Sequence, residues 1–293
     1  MDEKLAKNIL NQLDLCTKML MQQNETIKKC DEIITQQDLT AYVDRIRRRF
    51  PVMDVDSPDL RYVRVGRPHD GGYVMIDDFS ETKTIYSCGI NDDVSWDLDM
   101  ASRSGADIFM YDHTIEGLPE SHPRFHFFKT GITGTYDSGH PELETLPRLL
   151  EKNGHTEDFN ILLKMDIEGS EYGVFSEIDR DTLLHFSQIV LEIHFLLSRE
   201  LENLICYTLD RLNATHQLVY VHANNCDTSF CYGGKMLPKT LEATYLRKNR
   251  YQFKKSTDFS RPNSISRIRY ISLKSSWDIG ARNRDMEGFG YEA

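Results

Sequence analysis

From about residue 60 onward, the sequence alternates short β-rich apolar runs with helical stretches, and this alternation constrains the fold more than any other feature. Several runs are continuously apolar and bounded by polar residues, as expected of parallel strands buried on both faces. Strands that alternate with helices build βαβ units, so the pattern predicts a doubly wound α/β sheet. The predicted strands are Tyr73–Ile76, Thr84–Cys88, Asp107–Tyr111, Phe125–Lys129, Ile161–Asp166, Gln188–Ile193, Gln217–Val221 and Ile268–Leu273, and the predicted helices are Ser95–Ser104, Glu142–Asn153, Glu171–Ile178 and Arg199–Leu212.

The first 48 residues contain neither Gly nor Pro and predict a long helix outside this α/β domain. Two interpretations stay open: a helix packed on its own domain, or a coiled coil that joins two chains into a homo-oligomer. The chain is therefore predicted to consist of a helical extension over residues 1–48 and an α/β domain over residues 60–293. The apolar residues recur in a heptad-like stripe at Ile9, Leu13, Cys16, Leu20, Ile27, Cys30 and Ile34.

Charge and composition exclude several classes of partner. A net charge of -11 argues against nucleic acid and anionic membrane surfaces as partners. No stretch approaches the roughly 18 apolar residues of a membrane span, and the first residues lack the basic start and apolar run of a signal peptide. The 6 cysteines are scattered without a CxxC pair, which predicts free thiols in a reducing cytoplasm.

Two predicted strand ends favour a site for an adenosine-containing ligand. Gly89 directly follows Thr84–Cys88, where a glycine allows close approach of a ligand and the helix beginning at Ser95 offers free N–H groups. Asp112 ends the next strand, where an acidic side chain is suitably placed to bind ribose hydroxyls. Each residue alone also fits an ordinary turn. Together they favour the adenosine interpretation.

The most informative run extends from Leu162 to Tyr172 and contains Asp166, Glu168 and Glu171. A buried strand brings Asp166 to the sheet edge, where the chain then turns into a helix. The three carboxylates would repel one another unless a cation lay nearby. A sulfonium, a metal ion or basic side chains would provide the opposite charge.

The next two predicted strands end in similar chemistry. Period-two alternation puts Glu192 and His194 on one face, beside Asp166 if the strands are neighbours. His222 ends the strand that follows. Acidic and imidazole groups at three successive strand ends predict one catalytic centre, with Asp166, His194 and His222 as its catalytic residues.

These runs resemble the FkbM-type methyltransferases, a branch of the S-adenosylmethionine-dependent Rossmann-like enzymes. The resemblance rests mainly on Lys164–Glu171 and is supported by Val190–His194 and Tyr86–Ile90. It covers roughly residues 60 to 273 and leaves the N-terminal helix outside. Three further segments resemble features of a sub-branch of this family: Asp70-Gly71-Gly72-Tyr73, Leu237-Pro238 and Leu241-Glu242.

The resemblance implies a Rossmann-like, seven-stranded sheet with its last strand antiparallel, and S-adenosylmethionine as the methyl donor. It implies an oxygen acceptor, here predicted to be a sugar or nucleotide-sugar of glycan biosynthesis. Asp166 would lie where donor and acceptor meet. By position, the implied donor contacts are Ser87, Cys88, Gly89 and Asp93 for the methionine part, Asp112 and His113 for the ribose, and Gly131 and Ile132 for the adenine.

A sugar hydroxyl is a poor nucleophile while protonated, so a base or a metal ion must assist methyl transfer. His194 and His222 are the candidate bases. Alternatively, Asp166, Glu192 and His194 hold one Mg²⁺ or Mn²⁺ that orients two sugar oxygens. The sequence leaves both versions open.

Two other functional classes compete with methyl transfer. An NAD-dependent oxidoreductase would explain Asp112, but it requires a glycine fingerprint that is absent after Cys88. A non-catalytic coiled-coil assembly protein would explain residues 1–48, but it leaves the acidic strand ends unexplained.

Overall fold

The computed structural model describes residues 21–23, 25–26, 28–29, 35–68, 71–224 and 227–256. The helices are α1 (35–47), α2 (Ser95–Ser104), α3 (Leu146–Lys152), α4 (Glu171–Glu177), α5 (Arg180–Leu183) and α6 (Glu202–Thr215). The strands are β1 (Met53–Val55), β2 (Tyr62–Val65), β3 (Tyr73–Ile76), β4 (Thr84–Cys88), β5 (Asp107–Tyr111), β6 (Phe125–Phe128), β7 (Gly131–Ile132), β8 (Leu143–Glu144), β9 (Ile161–Met165), β10 (Phe186–Ile193), β11 (His216–Ala223), β12 (Ser229–Tyr232), β13 (Lys235–Pro238), β14 (Leu241–Arg247) and β15 (Phe253–Lys255).

A mostly parallel sheet of seven strands in the order β11-β14-β10-β9-β4-β5-β6 forms the centre of the fold. Strands β4, β9 and β10 are buried along their whole length, as their continuous apolar runs predict. Helices α2 to α6 lie in the crossovers between successive parallel strands. The arrangement is Rossmann-like, and it brings the carboxyl ends of β4, β5, β9 and β10 to one edge.

The predicted strands agree with the structure over most of the sheet, including β4 and β5. The strand at Tyr73–Ile76 is also confirmed, but β3 pairs with β2 in a separate hairpin instead of joining the sheet. Its backbone holds the Gln188 side chain, which accepts from the Ile76 N–H at 2.8 Å and donates to its carbonyl at 3.1 Å. The predicted strand Ile268–Leu273, the residue Asp70 and the heptad stripe lie outside the described residues.

Strand β14, the last strand of the sheet in chain order, is antiparallel, as the resemblance implies, but the sequence pattern predicts no strand over these residues. It pairs with β10 on one side and β11 on the other, so β11 is not the direct neighbour of β10. Glu242 and Thr244 give its sequence a polar alternation, yet every residue of the strand is buried. The burial is tolerated because the polar groups have partners: the Thr244 hydroxyl donates to the Val74 carbonyl at 2.5 Å.

The described part of the N-terminal extension packs on its own chain through α1. Tyr42, Val43 and Ile46 are buried in the core, and the Tyr42 hydroxyl donates to the Leu196 carbonyl at 2.6 Å. Residues 35–47 therefore form a helix that packs on its own domain. For the residues before them, the coiled coil stays a prediction. No helix within the described ranges is long and apolar enough to cross a membrane.

This packing predicts a stability cost for Ile46→Ala. Ile46 is 0% exposed, so the substitution should lower the free energy of unfolding by about 2–5 kcal/mol. Met21 is 68% exposed, and Met21→Ala should change it by less than about 0.5 kcal/mol. Urea denaturation of the full chain measures both values. Equal stability of the two variants would show that α1 does not contribute to the core in solution.

Candidate active site

A cavity of about 920 Å³ opens at the edge where the parallel strands end. Its walls come from the residues that follow β4, β5, β9 and β10, together with the β2–β3 hairpin. This is the edge at which doubly wound sheets bind their ligands. The side chains that give the cavity its chemistry are Asp93, Asp112, His113, Lys164, Asp166, Glu168, Glu192, His194 and Asn224.

The turn after β4 passes directly over the backbone of Asp166. Gly89 has φ +79°, and a Cβ at this position would lie 1.6 Å from the Asp166 carbonyl oxygen. Only glycine satisfies both constraints. The Lys164 ammonium donates to the Gly89 carbonyl at 2.8 Å and fixes the turn from the β9 side.

Asp112 holds the ends of β4 and β5 together. One carboxylate oxygen accepts from the backbone N–H groups of Ile90 and Asn91 at 2.8 and 2.9 Å, and the other accepts from the Thr114 N–H and hydroxyl at 2.8 and 2.6 Å. Burial alone would raise the pKa of Asp112, but these hydrogen bonds hold it below its usual value. A ribose hydroxyl bound here would donate to a carboxylate oxygen of Asp112 that already accepts from protein N–H or hydroxyl groups.

The other predicted donor contacts fall into two groups. Asp93, His113, Gly131 and Ile132 line the cavity, where Asp93 is paired with Arg67 at 3.1 Å. Ser87 and Cys88 are 0% exposed in the sheet and are not among the lining residues. Their side chains are enclosed because β4 is covered on both faces, and their contact with the methionine part of the donor stays a prediction.

Asp166, Glu192 and His194 meet at the cavity, as the alternation along the strands predicts. Met165 and Leu191 are partners in the parallel pairing of β9 with β10, so the two strand ends lie side by side. One potential ligand atom from each of the three residues lies within 4.8 Å of the others.

Four residues that are not among the predicted site residues support this centre. The Tyr73 hydroxyl donates to Asp166 Oδ2 at 3.0 Å, and the Asn224 amide donates to Glu192. Lys164 lines the cavity and donates to the Gly89 carbonyl, and Glu171 contacts His194. All four contacts are tertiary, so spacing along the chain gives no signal for them. Only the crowding of acids around Glu168 pointed to Glu171.

His194 is held by a buried carboxylate. Its Nδ1 lies 3.0 Å from Glu171 Oε1, which also accepts from the Ile167 N–H at 3.0 Å. The second ring nitrogen, Nε2, faces Glu168 at 3.5 Å and Asp166 at 3.8 Å. The imidazole is thus oriented through one nitrogen, and the other is left facing the cavity side chains.

The concentration of carboxylates shifts the protonation of the centre. Burial, followed by the negative charge of Asp166, raises the pKa of Glu192. Burial alone would lower the pKa of His194, but the Glu171 carboxylate and the acidic neighbours raise it. The centre therefore retains protons that isolated side chains would release.

His222 is separated from Glu192 by an intervening strand, so the three strand ends of the prediction are not direct neighbours. Strand β14 lies between β10 and β11, so Glu242 is opposite Glu192 on one side and His222 on the other. The His222 Nδ1 is 3.9 Å from Glu242, and the residue is not among those that line the cavity.

Asp97 of α2 is a second buried acid near the Gly89 turn, and it is 0% exposed. Burial raises its pKa to about 6, and the nearby Lys164 ammonium and Ser87 hydroxyl only partly oppose this rise. The folded chain thus binds a proton here more tightly than the unfolded chain does. The contribution of Asp97 to stability is full below pH 3.8 and is lost as the pH rises through about 6.

Asp97→Asn should consequently stabilise the folded protein at neutral pH, because the amide removes a buried charge. We expect the gain in unfolding free energy to grow from pH 4 to pH 7.5, to at most about 3 kcal/mol. Asp59→Asn, at an exposed position, is the control and should give a pH-independent difference. Denaturation at several pH values measures both. A gain that is the same at pH 4 and pH 7.5 would contradict the assignment to Asp97.

Comparison with known proteins gives one family. The family described as methyltransferase FkbM domain matches residues 78–225, half of the 293-residue chain. The matched range contains β4 to β11, and with them Gly89, Asp112 and the acidic centre. No curated protein gave a significant match.

Proposed function

This chain belongs to the FkbM methyltransferase domain family, and on that premise we propose that it transfers a methyl group from S-adenosylmethionine to a hydroxyl oxygen of a small acceptor. We further propose that the acceptor is a sugar or nucleotide-sugar. The observation that carries the proposal is the shared cavity, in which the Gly89 turn and the oriented His194 lie on the same strand edge.

The size and charge of the cavity support this donor, because a volume of about 920 Å³ is typical of small-molecule sites and carboxylates line the walls. S-adenosylmethionine supplies a methyl group on a positively charged sulfur when it is bound. Asp93 and the backbone around Gly89 would hold its methionine part, Asp112 and His113 its ribose, and Gly131 with Ile132 its adenine. Asp166 would stand where the positive charge of the donor is favoured, since opposite charges attract strongly in a partly buried site.

The part of the cavity around Asp166, Glu192 and His194, here called the acceptor side, supplies groups that bind and activate a hydroxyl. Carboxylate oxygens of Asp166 and Glu192 can accept hydrogen bonds from acceptor hydroxyls, as sugar recognition requires. Activation has two forms compatible with these residues. Either the neutral form of His194 receives the hydroxyl proton at Nε2, with Glu171 stabilising the imidazolium that results, or a divalent cation at Asp166, Glu192 and His194 polarises the oxygen.

Assembly through the N-terminal extension stays part of the proposal. The heptad stripe that suggests a homo-oligomer lies in residues before α1, whereas α1 itself packs on the α/β domain. The self-association proposed here would use the segment that precedes residue 35.

Donor binding is tested by titration calorimetry with S-adenosylhomocysteine, with NAD as the control ligand. We expect the first to bind and NAD not to bind. Asp112→Ala should weaken binding at least tenfold, roughly 1.4 kcal/mol, because it removes the carboxylate and releases the N–H groups of Ile90 and Asn91. Unchanged affinity would remove Asp112 from the donor site, and binding of NAD alone would contradict methyl transfer.

Turnover is tested by radiolabelled methyl transfer to a panel of sugars and nucleotide-sugars, with products identified by mass. His194→Ala should lower kcat by about 10²–10⁴-fold, whereas donor affinity should change less than threefold, the pattern of lost transition-state stabilisation. The control His222→Ala also removes a histidine side chain, but one that does not line the cavity, and it should change kcat less than threefold. Equal losses in the two variants would contradict the role of His194.

A further inference from the structure

We propose that Asp166, Glu192 and His194 bind one divalent cation, Mn²⁺ in preference to Mg²⁺, and that this cation recognises acceptors with two adjacent hydroxyl oxygens. The inference rests on the proposed function, because it concerns the acceptor side of the same cavity. It selects activation by a divalent cation over activation by His194 as base, and it restricts the proposed acceptors to vicinal diols.

The three residues are close enough to share one ion. Their ligand atoms all lie within 4.8 Å of one another. An octahedral ion with donors at about 2.1 Å has neighbouring donors about 3 Å apart and opposite donors about 4 Å apart. Small side-chain rotations would bring the three atoms to those distances.

The orientation of His194 is the second and independent observation. Its side chain is 10% exposed, and Nε2 is 3.5 and 3.8 Å from the nearest carboxylate oxygens, longer than ordinary hydrogen bonds. Its Nδ1 is occupied by Glu171, a carboxylate with a side chain only 2% exposed. Metal-binding histidines are characteristically fixed in this way, with one nitrogen bonded to a carboxylate and the other directed at the ion.

The surroundings of the ligands favour a positive charge. Asp166 and Glu192 face each other at the strand ends, and Glu168 lies 3.5 Å from His194 on the open side. Negative charges at such distances repel each other, and a divalent cation between them turns the repulsion into attraction. Tyr73 and Asn224 each donate to one of the two ligand carboxylates and limit their rotation.

The ligand set decides which ion and which acceptor fit. Two carboxylates suit Mg²⁺ and Mn²⁺ alike, but an imidazole nitrogen favours the transition metal. Three protein ligands leave about three positions open on an octahedral ion. Two adjacent hydroxyl oxygens of one acceptor can occupy neighbouring open positions, which aligns one of them for methyl transfer. A single isolated hydroxyl gains less from the ion.

The site is tested with Mn²⁺ as the probe, by the loss of the electron paramagnetic resonance signal of free Mn²⁺ upon binding to the full chain after chelator treatment. We expect one Mn²⁺ per chain and weaker binding of Mg²⁺ in competition. Asp166→Asn and Glu192→Gln should each weaken Mn²⁺ binding at least tenfold. Glu171→Gln should weaken it by about tenfold through the orientation of His194.

Glu242→Gln is the matched control, because it changes a buried carboxylate one strand away and should leave Mn²⁺ affinity unchanged. Thermal melts show which variants fold, and the Asn and Gln variants keep the original side-chain shapes. Mn²⁺ binding that is absent, or equal in wild type and ligand variants, would overturn the cation site. Binding of S-adenosylhomocysteine is measured in the same samples, so loss of the cation site alone leaves the proposed methyl transfer standing.

Discussion

The close approach of Gly89 to the backbone of Asp166 is the constraint on which the rest of the site depends. It requires a residue without a side chain at the end of β4, and it puts the proposed donor turn directly against the first acid of the acceptor side. The Asp166 N–H donates to the Cys88 carbonyl at 3.0 Å, so the parallel pairing of β4 and β9 continues up to this point. The proposed donor and acceptor sides are thereby fixed relative to each other by backbone contacts.

The buried charges around this contact serve different purposes. Lys164 and Asp112 use theirs to hold backbone: the ammonium fixes the Gly89 carbonyl, and the carboxylate gathers N–H groups from the turn that follows. Glu192 accepts from the Asn224 amide, His194 is held by Glu171 through Nδ1, and both residues face the cavity. Groups whose hydrogen bonds hold the backbone stabilise the fold, whereas groups with unused donor or acceptor positions at the cavity are available for a ligand.

The sequence predicts those parts of the site that depend on local pattern. Continuous apolar runs locate β4 and β5, and period-two alternation correctly brings Glu192 and His194 to one face. Sheet order is different, because it depends on which strands pair. The polar alternation of β14 does not resemble a central strand, so the pattern does not predict its insertion between β10 and β11, which separates His222 from Glu192. The Glu171–His194 contact is tertiary and needs the structure as well.

Backbone strain is concentrated at the same edge of the sheet. The non-glycine residues with positive φ in the described ranges are Asn91, Glu168 and Phe195, and each follows a strand that ends at the cavity. Left-handed backbone costs such residues of order 1–3 kcal/mol each, and it persists only where the surroundings impose it. The turn that contains Glu168 lies against the Phe195 ring, since a Cβ on Gly169 would lie 2.4 Å from that ring. Glu168 and His194 are adjacent to this contact, so two strained turns pack against each other beside two residues that line the cavity.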